Sequence, residues 1–368
     1  AFRPDGTVLI TGGTGSLGGI LARHLVADHG IRHLALVSRR GPAAEGAAEL
    51  VAELKGLGAT TVAVESCDVT DRAAVADLLA DVRRAGRRLT AVVHTAGIAD
   101  AGVIGSLDPE RVAQVFAPKV TAAQHLDALT RELAPDLDAF VVFSSVSSVF
   151  LGAGTGSYAA ANAFLDALAH QRRAAGLAAT SLAWGLWNQT AGGMAAGMDD
   201  LTRSRMNRRG GVLAMTAEEG MDLFDAALRT GEALHIPANL DLRALRAGAA
   251  AGRDVPTLLR GLVRTGRQLV RAASGDGGGG LAGRLAGLAA AEQEALLLEL
   301  VRGHAATVLG HAGPDAIRSG TAFRDSGFDS LTSVELRNRL REATGLKLAA
   351  TVVFDHPTPL AFARYLHA

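Results

Sequence analysis

The chain is poor in cysteine, lysine and large aromatics. Its one cysteine, Cys67, excludes an internal disulfide framework and any Cys-rich zinc centre, and no metal is expected. Only three of its 37 basic residues are lysines, Lys55, Lys119 and Lys347, so each asks for an explanation. Aromatic residues make up 4% of the sequence, with two tyrosines and two tryptophans, so the interior must be built from Ala, Val and Leu. Net charge is lacking as well, with 37 basic residues against 37 acidic. A chain without a global basic field is not expected to take nucleic acid as a partner. No apolar run reaches the roughly 18–20 residues that a membrane helix needs, so no membrane partner is expected. The N-terminus carries no signal-peptide pattern, which makes a cytoplasmic location the default expectation.

What is present is an alternation of apolar runs with helical patterns. At 368 residues, two or three domains are expected. Strand-like runs cover residues 7–10, 33–37, 61–65, 89–94, 139–144 and 179–184, with a further one at 233–237. Helical periodicity fills 18–28, 47–57, 72–85, 109–130, 157–175 and 216–229. Continuous apolar strands between helices predict an α/β domain, a doubly wound parallel sheet covered on both faces. Residues 188–211, rich in Gly, Met and Arg, break that rhythm and read as a substrate lid or a plain surface excursion. Residues 275–280 hold five glycines in six positions, a flexible linker. Past it only helix signals remain, at 292–309, 330–343 and 359–367, a small all-α bundle. The expected division is 1–271, a linker at 272–283, and 284–368.

The turn Gly13-Thr14-Gly15-Ser16-Leu17-Gly18 reads G-x-G-x-x-G. In a chain with 44 glycines that spacing alone means little, but here it follows a strand and opens a helix. Backbone amides and a helix N-terminus would then face a pyrophosphate. Where an acidic residue would hold the ribose of NAD, this chain has Ser38-Arg39-Arg40, which suits a 2′-phosphate and predicts NADPH.

Ser144 and Ser145 end a strand, Tyr158 begins a helix, and Asn162 lies one turn later on the same face. Carbonyl reduction needs such a set. Hydride attack leaves negative charge on oxygen, a phenol of pKa about 10 must protonate it, and a nearby ammonium helps by favouring the phenolate. The runs at 11–18, His94-Thr95-Ala96-Gly97, Ser144-Ser145 and Tyr158-Ala-Ala-Ala-Asn162 resemble short-chain dehydrogenase/reductases. More narrowly, they resemble ketoreductase domains of modular type I polyketide synthases. Short-chain reductases usually carry Lys four residues after the Tyr. In the polyketide branch that place is Asn and the Lys stands in an earlier helix, as in Phe116-Ala-Pro-Lys119-Val120 here.

The resemblance implies roles for these residues. Tyr158 is the proton donor, Ser145 orients the ketone oxygen, Lys119 lowers the phenol's pKa and helps place the cofactor ribose, and Asn162 supports the proton relay. Thr95, Ala96 and Gly97 line the cofactor site, and Asp68-Val69 is the adenine-side contact. The family also has a cofactor-free structural half, expected upstream in a longer polypeptide because this chain starts almost at the first strand. Stereochemical markers are mixed. Ala99-Asp100-Ala101 lacks the second Asp of B-type enzymes, Phe150 stands where A-type enzymes have Trp, and Thr155 is not the His that goes with epimerised substrates. The expectation is A-type, an L-configured β-hydroxyl. Trp184 and Trp187 border nicotinamide and substrate in the family; each reads equally well as core.

Gly327-Phe328-Asp329-Ser330-Leu331 resembles the attachment sequence of acyl carrier proteins, with Phe323 and Phe354-Asp355-His356-Pro357 fitting around it. That resemblance makes residues 284–368 a four-helix-bundle carrier domain. Ser330 would carry 4′-phosphopantetheine at the positive end of a helix; a simple N-cap serine is the bland alternative. The expected function is NADPH-dependent reduction of a β-ketoacyl thioester tethered to the carrier. The alternative is a scaffold plus carrier that has lost reduction. Expected partners are the tethered acyl thioester, ketosynthase and acyltransferase domains, the structural half, and a phosphopantetheinyl transferase.

Overall fold

The computed structural model describes residues 2–84, 88–100, 107–150, 154–188, 211–250, 255, 257–263, 281, 285–309, 311, 313–328, 330–349 and 351–367. The chain forms two compact units, Ala1–Arg264 and Thr265–Ala368. Both expected domain boundaries, the Gly-rich linker and nearly all of the lid candidate lie outside the described residues.

The first unit is a seven-stranded parallel sheet. In chain order its elements are β1 (Thr7–Thr11), α1 (Ser16–Ala27), β2 (His33–Ser38), α2 (Ala47–Gly56), β3 (Thr61–Ser66), α3 (Arg72–Arg84) and β4 (Leu89–His94). Then come α4 (Pro109–Phe116), a π-turn (Ala117–Thr121), α5 (Ala122–Leu133), β5 (Ala139–Ser145), α6 (Gly156–Ala174) and β6 (Thr180–Trp184). The unit continues with β7 (Val212–Leu213), α7 (Ala217–Thr230), β8 (Leu234–His235), β9 (Asn239–Leu240) and α8 (Leu242–Ala250). Strand order is β3-β2-β1-β4-β5-β6-β8. The order reverses between β1 and β4, so the crevice at the carboxyl ends of those strands is the natural ligand position. The small antiparallel pair β7–β9 and helix α8 had no counterpart among the expected elements.

Every residue of β1 and β4 is buried, as a two-sided parallel sheet requires. Side chains alternate between two cores. Val8, Ile10, Leu34 and Leu36 meet Leu21 and Leu25 of α1, Leu54 of α2 and Phe224 of α7. Leu9, Val37, Val92, Phe140 and Val142 meet α3, α5 and α6 through Val75, Leu126, Leu129 and Leu165. Each fully buried Leu or Ile contributes about 1.5–3 kcal/mol over its exposed state.

The expected helix at 109–130 is a run of helix interrupted by the π-turn. Pro118 explains the interruption, since it lacks an N–H and its ring would strike the carbonyl one turn back. The wider turn is closed by the amide of Ala122, which reaches the carbonyl of Ala117.

The second unit is helical. It comprises α9 (Ala290–Leu309), α10 (Ser330–Thr344), the single turn α11 (Val352–Asp355) and α12 (Pro359–His367). Leu297, Val301, Phe323, Phe328, Leu336, Leu340 and Phe362 form its core.

Candidate active site

The cofactor turn is built from backbone. Gly12 takes φ +71°, and a Cβ there would sit 2.8 Å from Thr95 Oγ1. A Cβ on Gly18 would lie 2.3 Å from the Gly12 carbonyl oxygen, and one on Gly13 would lie 2.8 Å from that of Ile10. The amides of Gly12 and Gly13 both donate to the Val37 carbonyl, at 2.7 and 3.2 Å, which ties the turn to β2. Helix α1 starts after Gly15 with no side-chain cap and no acidic residue in its first turn. Its first amides, at Ser16, Leu17 and Gly18, therefore have no intrahelical acceptor, and Thr14-Gly15 leads into them. This cradle fits a dinucleotide's pyrophosphate.

Ser38 is the last residue of β2, and its hydroxyl accepts the Gly41 amide at 3.1 Å. Arg39 and Arg40 follow, both exposed. Asp68 accepts the amide and hydroxyl of Thr70, at 3.0 and 2.8 Å. Those bonds, and then the Arg39 charge, hold its carboxyl below the usual range. Val69 is buried in the core beside it. Thr95 donates its hydroxyl and its amide to the Thr11 carbonyl, at 2.7 and 3.1 Å, locking the end of β4 to β1. Ala96 and Gly97 continue that wall. A Cβ on Gly97 would lie 2.8 Å from Lys119 Cε, so glycine there makes room for the lysine.

Lys119 lies in the π-turn and is 3% exposed. Its Nζ donates to the Phe143 carbonyl at 3.0 Å and stands 5.4 Å from the centroid of the Tyr158 ring. Burial pushes its pKa down to about 8, with the Asp166 charge acting the other way. Tyr158 is in the first turn of α6, packed on Val115 and Ala161. Burial raises its phenol above the ordinary value, and hydrogen bonding with Ser145 and then Asn162 draws it back. Ser145, the last residue of β5, accepts the Ser147 amide on its hydroxyl at 3.3 Å. Asn162 is fully buried, and its side-chain amide donates to the Tyr158 carbonyl at 2.8 Å. Its Oδ1 has no hydrogen-bond partner among the described residues. The four residues proposed for the chemistry thus come together at the carboxyl ends of β4 and β5 from three segments of the chain, the π-turn, the end of β5 and the start of α6.

Two residues of this site were given no role by the sequence reading, one not named there and one named only as part of the run at 94–97. Asp166 lies on the same face of α6, one turn beyond Asn162 and two beyond Tyr158. Its carboxylate accepts Ser148 at 2.7 Å and Ser181 at 2.6 Å, and Ser148 in turn shares its hydroxyl with the Ser145 carbonyl at 2.8 Å. The carboxylate therefore holds the turn after Ser145 while facing the Lys119 charge. His94 is the other. Burial, with the Lys119 charge adding, pushes its pKa down to about 3, so the ring is neutral, with Nδ1 2.7 Å from Thr11 Oγ1.

Trp184 and Trp187 resolve as core. They pack on each other at 4.8 Å, and Trp184 on Phe143, within the cluster that holds Met215 and Phe224. Asp100 is bound by Arg111 at 2.7 Å. In the second unit Gly327 takes φ +91° just ahead of α10, whose first residue is Ser330. Asp329 lies outside the described residues. Among the described residues no helix is long and apolar enough to cross a membrane.

Comparison with known proteins identifies the family. Residues 6–189 match the KR domain family, and residues 299–366 match the phosphopantetheine attachment site family. The chain is 52% identical over 370 residues to polyketide synthase GfsB of Streptomyces halstedii, covering 100% of this chain and 6% of that protein. It is 53% identical over 372 residues to pikromycin polyketide synthase component PikAII of Streptomyces venezuelae, covering 99% of this chain and 10% of that protein. It thus spans a small fraction of the length of these relatives. Among solved structures, A-type ketoreductases from a modular polyketide synthase superpose with a TM-score of 0.61 at 42% identity, over 73% of this chain and 54% of theirs. The cofactors that go with the two matched families are NADPH and covalent 4′-phosphopantetheine. The chain belongs to the ketoreductase domains of modular polyketide synthases, followed in the same polypeptide by a carrier domain of the phosphopantetheine attachment site family.

Proposed function

We propose that the first unit reduces a β-ketoacyl thioester, presented on a phosphopantetheine arm at Ser330, to the β-hydroxyacyl thioester with NADPH. The observation that carries this reading is the buried Lys119 ammonium 5.4 Å from the Tyr158 ring, beside Ser145. When bound, the nicotinamide supplies a hydride to the β-carbon. The Tyr158 hydroxyl gives its proton to the ketone oxygen as charge develops there, and the Ser145 hydroxyl donates a hydrogen bond to the same oxygen. The Lys119 charge lowers the cost of the phenolate left behind. Asn162 fixes the start of α6 through the Tyr158 carbonyl, so the phenol cannot drift from Ser145. Arg39 and Arg40, exposed just past β2, would hold the 2′-phosphate of NADPH.

Loss of the Tyr158 hydroxyl in Tyr158→Phe is expected to lower kcat about 10²–10⁴-fold on a diketide thioester, followed as NADPH oxidation. A rate near that of the unaltered protein would refute the role. Arg39→Ala should weaken NADPH more than NADH; equal NADPH affinity in the two proteins would remove the phosphate assignment. Phe150 and the missing second Asp favour A-type stereochemistry, so chiral chromatography should show the L-β-hydroxyl product, and a D-product would overturn it. For the carrier, coenzyme A and a phosphopantetheinyl transferase should add one arm to the intact mass, and none in Ser330→Ala.

A further inference from the structure

We propose that His24, His29 and Asp225 form a binding site for one borderline-soft divalent cation, Zn²⁺ in chemical class, which staples α1 to α7. The three side chains come from the last turn of α1, the connection after it, and α7. One ligand atom from each lies within 4.8 Å of the others. His24 Nε2 is 3.2 Å and His29 Nε2 2.8 Å from the same oxygen, Asp225 Oδ1. Neighbouring ligands around a tetrahedral ion with bonds of about 2.0–2.1 Å stand roughly 3.4 Å apart, close to the two His–Asp225 spacings.

The ring contacts point the same way. Asp28 Oδ2 is 3.0 Å from His24 Nδ1. His24 Nε2, 3.2 Å from Asp225 Oδ1, is buried without a hydrogen-bond partner among the described residues. A carboxylate behind the far nitrogen is also the usual outer support of a metal-bound imidazole.

Charge balance agrees. Asp28 and Asp225 pair only with histidines among the described residues, and no Lys or Arg answers them. The carboxyl end of α1 adds partial negative charge at the same place. Phe2 and Phe224 stack at 6.1 Å and abut the two imidazoles, closing one side to water. Two imidazoles and one carboxylate favour zinc-like ions over Mg²⁺ or Ca²⁺, which prefer all-oxygen shells. The site lies at the opposite end of α1 from the Gly-rich turn, about 18 Å along a 12-residue helix, so its effect is on stability and not on the reacting atoms.

The test uses the full chain, free of any histidine tag and stripped with a chelator. Titration with Co²⁺ is expected to give the intense visible bands of four-coordinate cobalt, saturating at one ion per chain and displaced by Zn²⁺. Both His29→Gln and Asp225→Asn should abolish the bands, and Zn²⁺ should raise the melting temperature of the unaltered protein only. His29 is the most exposed ligand, so His29→Gln keeps the test alive if Asp225→Asn fails to fold. Absence of saturable binding, or bands that persist in both variants, overturns the proposal.

Discussion

The depressed pKa of Lys119 makes a quantitative demand on the pH dependence of reduction. Burial at 3% exposure pushes the ammonium down to about 8, from an ordinary value of 10.5. The charged form is the one that assists the Tyr158 proton transfer, so kcat/KM should be level below the midpoint and fall above it. A single group titrating at about 8 is some 90% charged at pH 7 and about 10% charged at pH 9, so kcat/KM at pH 9 should be about one-tenth of the plateau. Tyr158 does not give this limb, because its own pKa is shifted upward. Asp166 opposes the effect of burial, so Asp166→Asn should move the limb to lower pH, while Asp166→Glu should restore it in part. His94, neutral and on the neighbouring strand, adds no charge in this range. The assay is NADPH oxidation at subsaturating diketide thioester between about pH 6 and 10, with Lys119→Met as the control that has no limb to lose. A profile level through pH 9.5, or a limb left in place by Asp166→Asn, would refute the reasoning.

Three further outcomes follow from the packing. The folded protein keeps His94 neutral down to about pH 3, while the unfolded chain takes the proton near 6.5, so acid favours unfolding; the loss reaches about 2 kcal/mol at pH 5. Thermal melts of His94→Asn between pH 7.5 and 5 should show a shallower decline than the unaltered protein, and equal slopes would reject the assignment. Gly18→Ala sets a methyl against the Gly12 carbonyl and should weaken NADPH binding tenfold or more, about 1.4 kcal/mol, by fluorescence titration. Gly303→Ala, in α9 with open space around it, should leave that affinity unchanged. Arg172 is buried across Asp127 and lies 4.0 Å over the Phe140 ring, so Arg172→Met should cost about 3 kcal/mol in urea denaturation despite the remaining Arg131 contact. An unchanged urea midpoint would mean that the pair carries no stability.

The parallel sheet was legible because buried strands have nothing to alternate with: runs such as Leu89 to Val93 are apolar or small throughout. The Gly-rich turn was legible because its neighbours, a strand and a helix, are themselves plain in the sequence. Lys119 stood out through scarcity and through the Phe-Ala-Pro-Lys context. Asp166 did not, since a lone acid on an Ala-rich helix reads as solvated. What buries it are Ser148 and Ser181, which arrive from a turn and a strand distant in sequence. Strands β7 and β9 are two residues each, too short to carry a period. The π-turn had one visible cue, Pro118 inside a helical pattern, but a proline alone does not say whether a helix ends, kinks or widens.

That widened turn constrains chain length more than residue type. One extra residue in the ladder puts α5 out of phase with α4 by about 100°. The segment can thus offer Val115 to Tyr158 on one side and Leu126 and Leu129 to the sheet's other core. Deleting a single residue between Phe116 and Ala122 would repair the hydrogen-bond ladder and improve the helix as a helix. It would also swing one of those two apolar faces, and Lys119 with it, away from its partners. Substitutions here should be tolerated far better than indels, so the spacing of this segment works as a ruler for the ammonium.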